Sequence, residues 1–121
     1  VTYAAKWEAG SDYDLHTIPV CPARIDKGTA ELLTRVAERA WRALAKCEGY
    51  GRVDIRLDAA GTPWVLEVNP DPDLSSDAGL ARMGRAYGWD YPTLVLQVAE
   101  EALERGRVAL AEGALSGRIT S

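Results

Sequence analysis

The chain has 121 residues, of which 47% are hydrophobic and 26% charged, with a formal net charge of -4. That length suits one domain with a modest core, and the acidic balance gives no support to nucleic acid as a partner. No apolar run approaches a membrane span, no signal peptide is visible, and the two cysteines, Cys21 and Cys47, read as buried free thiols, which fits a cytoplasmic compartment.

Val1 to Trp7 is a strand-like run that opens without Met, so the chain is expected to begin inside a domain. Glu8 to Thr17 is polar and reads as an exposed loop. Ile18 to Cys21 is expected to be a short strand stopped by Pro22. Asp26 is placed to cap a helix running to about Lys46. Its apolar stripe is Leu33, Val36, Ala37, Ala40, Trp41 and Leu44.

Gly51 to Asn69 follows and has the pattern of a β-hairpin. Val53, Ile55 and Leu57 alternate with Arg52, Asp54 and Arg56. Val65, Glu67 and Asn69 alternate with Trp64, Leu66 and Val68, and Asp58 to Thr62 supplies the turn. A two-residue loop at Ala60-Gly61, or a four-residue loop from Ala59 to Thr62, sets Asp54 opposite Glu67 and Arg52 opposite Asn69. Directly paired residues share one face of the sheet, so two carboxylates would stand side by side and require a cation, either Arg52 or a divalent metal. A three-residue loop with a bulge would shift the parity and separate the set.

Pro70-Asp71-Pro72-Asp73-Leu74 cannot be regular structure. Ser75 and Ser76 are expected to cap a short helix carrying Leu80, Met83 and Tyr87 on one face and ended by Gly88. Asp90-Tyr91-Pro92 starts the last helix. Its stripe is Tyr91, Leu94, Val95, Val98 and Ala102, weakened at Gly106 and continued by the apolar stretch from Val108 to Leu115. Residues 1–115 are expected to form the domain and 116–121 a frayed tail. The order of elements, with a hairpin and helices covering one face, predicts an α+β fold with a mainly antiparallel sheet.

Asp54, Glu67 and Asn69 are hard oxygen donors, better suited to Mg²⁺ with substrate phosphates than to zinc. They equally fit a solvent-facing sheet surface on which charges alternate. Arg52 is placed either to neutralise a developing oxyanion or to form a salt bridge with Asp54 or Glu67. Ser75 and Ser76 offer hydroxyls and N–H groups to an anion, or ordinary capping. Lys6 has the reach to serve a phosphate, or is simply solvated at a strand end. His16 receives no role, and the four tryptophans read as packing residues.

Together G-R-V-D-I-R-L-D, V-L-E-V-N-P, the Pro-containing loop and the short helix resemble the C-terminal part of D-alanine–D-alanine ligases, members of the ATP-grasp superfamily. Ala5-Lys6-Trp7, Cys21-Pro22-Ala23, Ala40-Trp41 and Tyr87-Gly88 follow the same order, and the resemblance extends to about Leu103. It implies an ATP-grasp C-terminal subdomain that uses ATP and two Mg²⁺ ions. Asp54, Glu67 and Asn69 match metal ligands, and Arg52 matches the arginine near a tetrahedral intermediate. Lys6 matches a lysine reaching the nucleotide phosphates, and Ser75 and Ser76 lie in a loop receiving a substrate carboxylate. The implied partners are an amino-acid or dipeptide substrate and an N-terminal part of the enzyme; a homodimer is left open. The implied setting is peptidoglycan biosynthesis. Two positions depart from the family pattern: Asp73 stands where a Gly is usual, and Trp7 where Tyr is common. A non-catalytic binding or assembly module and a plain Mg²⁺- or Ca²⁺-binding domain are the competing readings.

Overall fold

The computed structural model describes residues 18–45 and 48–119. The expected strand from Val1 to Trp7 and the loop after it, with Lys6, Trp7 and His16, lie outside the described residues, as does Cys47.

Helix α1 spans Lys27–Ala45. Asp26 caps it: Thr29 N–H donates to Asp26 Oδ1 at 2.8 Å and Thr29 Oγ1 to Oδ2 at 2.8 Å. These bonds hold the Asp26 carboxyl below its ordinary pKa, the backbone donor contributing most. Leu33, Val36, Ala37, Ala40 and Trp41 are half-buried as the periodicity predicts, but Leu44 is 72% exposed. The covered stripe thus ends at Trp41, one turn early. Ile18 to Cys21 forms no strand among the described residues. Ile18 and Val20 are exposed, and Cys21, a free thiol, points its Sγ at the Arg82 carbonyl, 3.8 Å away.

Strands β1 (Arg52–Leu57) and β2 (Pro63–Asn69) pair antiparallel as an αβ layer with α1 against them. The expected pairings hold: Arg52 with Asn69 and Asp54 with Glu67. The route to them differs from the expectation. The Asp58 N–H donates to the Thr62 carbonyl and Gly61 N–H to the Asp58 carbonyl, both at 3.0 Å, so the loop is Ala59-Ala60-Gly61. Gly61 takes φ 79°, the left-handed conformation a three-residue loop needs. That loop shifts parity by one. A bulge at Leu66 shifts it back, since Ile55 pairs with Val65 while Asp54 pairs with Glu67.

The bulge sorts the faces. Val53, Ile55 and Leu57 pair with Val68, Val65 and Pro63, and Val65 lines a hollow with Val36, Ala40 and Ala43 of α1. Arg52, Asp54 and Arg56 pair with Asn69, Glu67 and Trp64 on the other face. Strict alternation had put Val65 with Glu67; the extra residue moves Val65 to the helix side and Trp64 to the polar side.

Asp58 clamps the turn. Its Oδ1 accepts from Ala60 N–H and Thr62 N–H, both at 2.9 Å, and its Oδ2 accepts from Trp64 Nε1–H at 3.0 Å. The Trp64 bond, then the Thr62 backbone bond, holds the Asp58 carboxyl below its ordinary pKa.

Helix α2 spans Gly79–Tyr87, with Ala78 at its N-cap and no side-chain cap bond. Ser75 and Ser76 therefore do not cap it. The Asp73 carboxylate one turn earlier draws Ser75 away, and the chain needs Ser75 to Ala78 for a turn closed by Ala78 N–H to Ser75 O at 3.0 Å. Gly88 (φ 109°) closes α2 as expected, with Gly88 N–H on Arg85 O and Trp89 N–H on Gly84 O. Ala81 and Gly84 are the buried residues of α2, while Met83 and Tyr87, expected on its packed face, are exposed. Tyr87 instead meets Trp89 edge to face, ring centres 5.0 Å apart.

Helix α3 spans Tyr91–Ile119 without a break at Gly106. Asp90 caps it by accepting from Thr93 N–H at 2.9 Å. Leu94 is buried against Gly84, and the Tyr91 hydroxyl donates to the Leu74 carbonyl at 2.8 Å. The tightest packing is thus between α2 and α3, with Pro72 enclosed beside it.

Gly51, at the entry to β1, leaves no space for a side chain. A Cβ there would overlap the Trp41 ring and lie 2.8 Å from the Asn69 carbonyl oxygen. Gly51→Ala is expected to destabilise the chain by about 1–3 kcal/mol in urea unfolding, whereas Gly79→Ala, with open space around it, should be neutral or mildly stabilising. Asp58 gives a second expectation. A carboxyl with a lowered folded pKa adds stability above its unfolded pKa, and that stability disappears as pH falls through the folded value. The Tm gap between wild type and Asp58→Asn should be full at pH 7 and shrink below about pH 4.

Candidate functional site

Arg52, Asp54, Glu67 and Asn69 stand together on the polar face of the hairpin. Arg52 grips Asp54 with both arms of its guanidinium, Nε–H to Oδ1 at 2.7 Å and Nη2–H to Oδ2 at 3.1 Å. The pair is half-buried, with side-chain exposures of 30% and 37%. The bond to Asp54 comes first, ahead of the opposing cost of burial, in pushing the Arg52 pKa up, and the charges of Asp54 and Glu67 add to it. Of the two readings of Arg52, the salt bridge to Asp54 is the one present here.

Glu67, directly opposite Asp54, is exposed. Asn69 is half-buried and its Oδ1 accepts from Asp71 N–H at 2.9 Å. This bond fixes which end of the amide is oxygen and turns the first loop residue over the end of β2. An amide oxygen retains a second lone pair. Among the described residues no group of three or more His, Cys, Asp and Glu side chains gathers around one point. The donor set is therefore two carboxylates and an amide, all hard oxygen. Such a set fits Mg²⁺, which keeps several waters and takes further oxygens from phosphates.

Ser75 and Ser76 sit in the exposed loop between Asn69 and α2. Ser75 N–H and Ser75 Oγ–H both donate to Asp73 Oδ1, at 2.8 Å and 2.6 Å. The hydroxyl bond and then the backbone bond hold the Asp73 carboxyl below its ordinary pKa. The Ser76 carbonyl accepts from Arg85 Nη1–H at 2.9 Å, which ties the loop to α2. Lys6 lies outside the described residues.

The chain matches the model of the D-ala D-ala ligase C-terminus family over residues 1–100. It belongs to that family. Among curated relatives, the D-alanine–D-alanine ligase of Bordetella avium is 39% identical over 82 residues, covering 68% of this chain and 26% of the relative. The ligase of Synechococcus sp. strain JA-3-3Ab is 36% identical over 115 residues, 95% of this chain and 33% of the relative. The crystal structure of the Bacillus anthracis ligase complexed with ATP aligns with a TM-score of 0.68 and 29% identity, over 74% of this chain and 31% of that one. The chain thus spans about a quarter to a third of the curated relatives it matches. The α+β architecture expected from the sequence stands, as an ATP-grasp C-terminal portion with a two-stranded antiparallel sheet among the described residues. No described helix is long and apolar enough to cross a membrane.

One constellation escaped the sequence reading. Tyr50, Asp71 and Arg105 line a hollow of about 310 Å³ with Glu48, Gly49 and Pro70. Arg105 comes from α3, beyond the residues matched by the family model, and Gly49 (φ 72°) lets it approach: a Cβ there would lie 2.7 Å from Nη1. Burial first, then the Asp71 charge and the bond that the Tyr50 hydroxyl donates to it, push the Tyr50 phenol up, while Arg105 opposes them. The only hint in the sequence is Gly49-Tyr50-Gly51, an aromatic between two glycines; nothing local points to Arg105. Asp71→Asn should bring the Tyr50 titration back toward the ordinary phenol value, and Arg105→Ala should push it higher, both read from the Tyr50 ring resonances by NMR.

Proposed function

We propose that this chain is the catalytic C-terminal portion of an ATP-dependent carboxylate–amine ligase acting on D-alanine or a related amino acid. The observation that carries the reading is the facing of Asp54 and Glu67, with Asn69 and Arg52 beside them, in a chain of the D-ala D-ala ligase C-terminus family. In this scheme a substrate carboxylate attacks the γ-phosphoryl group of ATP to give an acyl phosphate. The amine of a second substrate then attacks that carbonyl, and phosphate leaves.

Asp54, Glu67 and Asn69 would hold Mg²⁺, with Glu67 shared between two ions. Bound there, the metal supplies positive charge to the phosphate oxygens. Arg52 donates to the oxyanion that forms when the amine adds. Lys6 serves the nucleotide phosphates as a point charge. The loop carrying Ser75 and Ser76 receives the carboxylate of the acceptor. Ser75 joins in only once Asp73 lets go of its N–H and hydroxyl. The exposed carboxylate at position 73 also sets this loop apart from relatives with glycine there. It leaves the backbone less able to approach an anion, which favours an acceptor other than plain D-alanine.

The 121-residue chain by itself is proposed to be inactive, since it matches only 26% and 33% of the length of these relatives. A cytoplasmic enzyme of peptidoglycan precursor synthesis is the setting that suits this chemistry.

The test is ATP-dependent phosphate release with amino-acid substrates by the full-length protein. Release coupled to peptide-bond formation is expected, and Glu67→Gln should lower kcat by about 100-fold or more. Peptide formation without ATP, or unchanged turnover in Glu67→Gln, would sink the proposal. Phosphate release by the 121-residue chain, lost in Glu67→Ala, would refute its inactivity alone.

A further inference from the structure

We infer that Arg52 is the resident counter-cation of Asp54 and gives this carboxylate up when metal binds, so that metal binding releases the guanidinium for chemistry. This rests on the metal assignment proposed above.

Asp54 has two oxygens, and Arg52 donates to each of them. The fork is held by a short stretch of backbone, two residues along one strand, and by partial burial of both side chains. Glu67 directly opposite adds its charge to the same cation. One guanidinium therefore offsets the repulsion between the two carboxylates that the register imposes.

A divalent ion on Asp54 and Glu67 would perform that task more strongly. Lone pairs remain on Asp54 even with Arg52 bonded, so the hydrogen bonds alone do not bar a metal. Charge does: a guanidinium and a divalent ion on one carboxylate repel each other at close range. The bidentate bond cannot slide to one oxygen without losing its planar match. Ion and arginine are thus competitors for Asp54, while Asn69, whose oxygen faces Asp71 N–H, is not part of the contest.

The consequence is an order of events. With the site free of metal, Arg52 is tied down on Asp54 and is unable to reach an oxyanion. Loading the site unties it. A cation whose place is to meet negative charge in the second step is thereby withheld until the charge-neutralising ion of the first step is in position.

The experiment is a ¹H–¹⁵N NMR titration, with Mg²⁺, of the full-length protein saturated with a non-hydrolysable ATP analogue. It follows the Arg52 Nε–H signal beside the backbone amides of Asp54 and Glu67, and repeats the titration on Arg52→Gln and Arg52→Lys. In the wild type, the Nε–H signal should shift and lose its protection from solvent exchange in step with the Asp54 and Glu67 amides. Arg52→Gln should bind Mg²⁺ about two- to fivefold more tightly, the factor expected for a competing ion pair of this kind. Arg52→Lys, which keeps the charge and loses the fork, should fall between them. Mg²⁺ binding that leaves the Arg52 signal protected, or equal affinities in wild type and Arg52→Gln, overturns the exchange while the metal site stands. No Mg²⁺-dependent shift at Asp54 or Glu67 in any of the proteins overturns the metal assignment and the exchange with it.

Discussion

Two carboxylates facing each other across paired strands must share a positive charge. At about 5 Å between Cβ atoms they repel, and a cation beside them offsets the cost of closing the hairpin in this register. Asp54 and Glu67 are held in that relation by backbone pairing, and Arg52 supplies the charge. The surroundings follow from that requirement. Trp41 and the Asn69 carbonyl crowd Gly51 so that Arg52 starts the strand at a fixed position. Val53 and Val65 on the reverse face lie beside α1. Asn69, at the far end of the same face, is turned by Asp71. A surface built this way is costly in charge and gains little stability from its exposed members.

The loop after β2 has the reverse character. Its polar groups bond locally: Ser75 N–H and hydroxyl on Asp73, and Asp71 N–H on the Asn69 amide oxygen at the end of β2. The loop is stitched to α2 through Arg85 and to α3 through Tyr91. On one side of Asn69 lies a rigid, charge-crowded strand pair, and on the other a self-satisfied exposed turn. Arg105, reaching from α3 to Gly49, brings the long helix to the seam between α1 and β1.

Local signals in the sequence are enough where a single short-range bond decides the structure. Asp26 before Thr29 and Asp90 before Thr93 each fix a helix start, and Gly88 fixes an end. Helix α3 runs through Gly106 because the penalty of one glycine, about 1 kcal/mol, is small beside the turns flanking it. Where two local bonds compete, the sequence does not rank them. Ser75 could face forward to α2 or back to Asp73, and the nearer carboxylate took both its donors. The pairing of Asp54 with Glu67 comes about through a different loop from the one that simple alternation implies. A three-residue turn and a bulge at Leu66 each break the alternation, and their effects cancel at residues 67 to 69 while remaining visible at Trp64 and Val65. Leu44, Met83 and Tyr87 show the other limit: periodicity names a face, but only the neighbouring elements decide how far along a helix that face is covered.

The bulge has a bearing on how this hairpin tolerates changes in length. Leu66 is the β2 residue without a partner on β1, so its loss would leave Ile55 on Val65 and bring Glu67 into the next position, still opposite Asp54. Loss of one residue from Ala59-Ala60-Gly61 would leave Asp58 facing Thr62 across a shorter loop and the strands in the same register. Both places act as slack in the chain, and the acid pair lies between them and the strand ends untouched. Relatives that differ in length here should therefore differ at the turn or at the bulge, by single residues, with acid still facing acid.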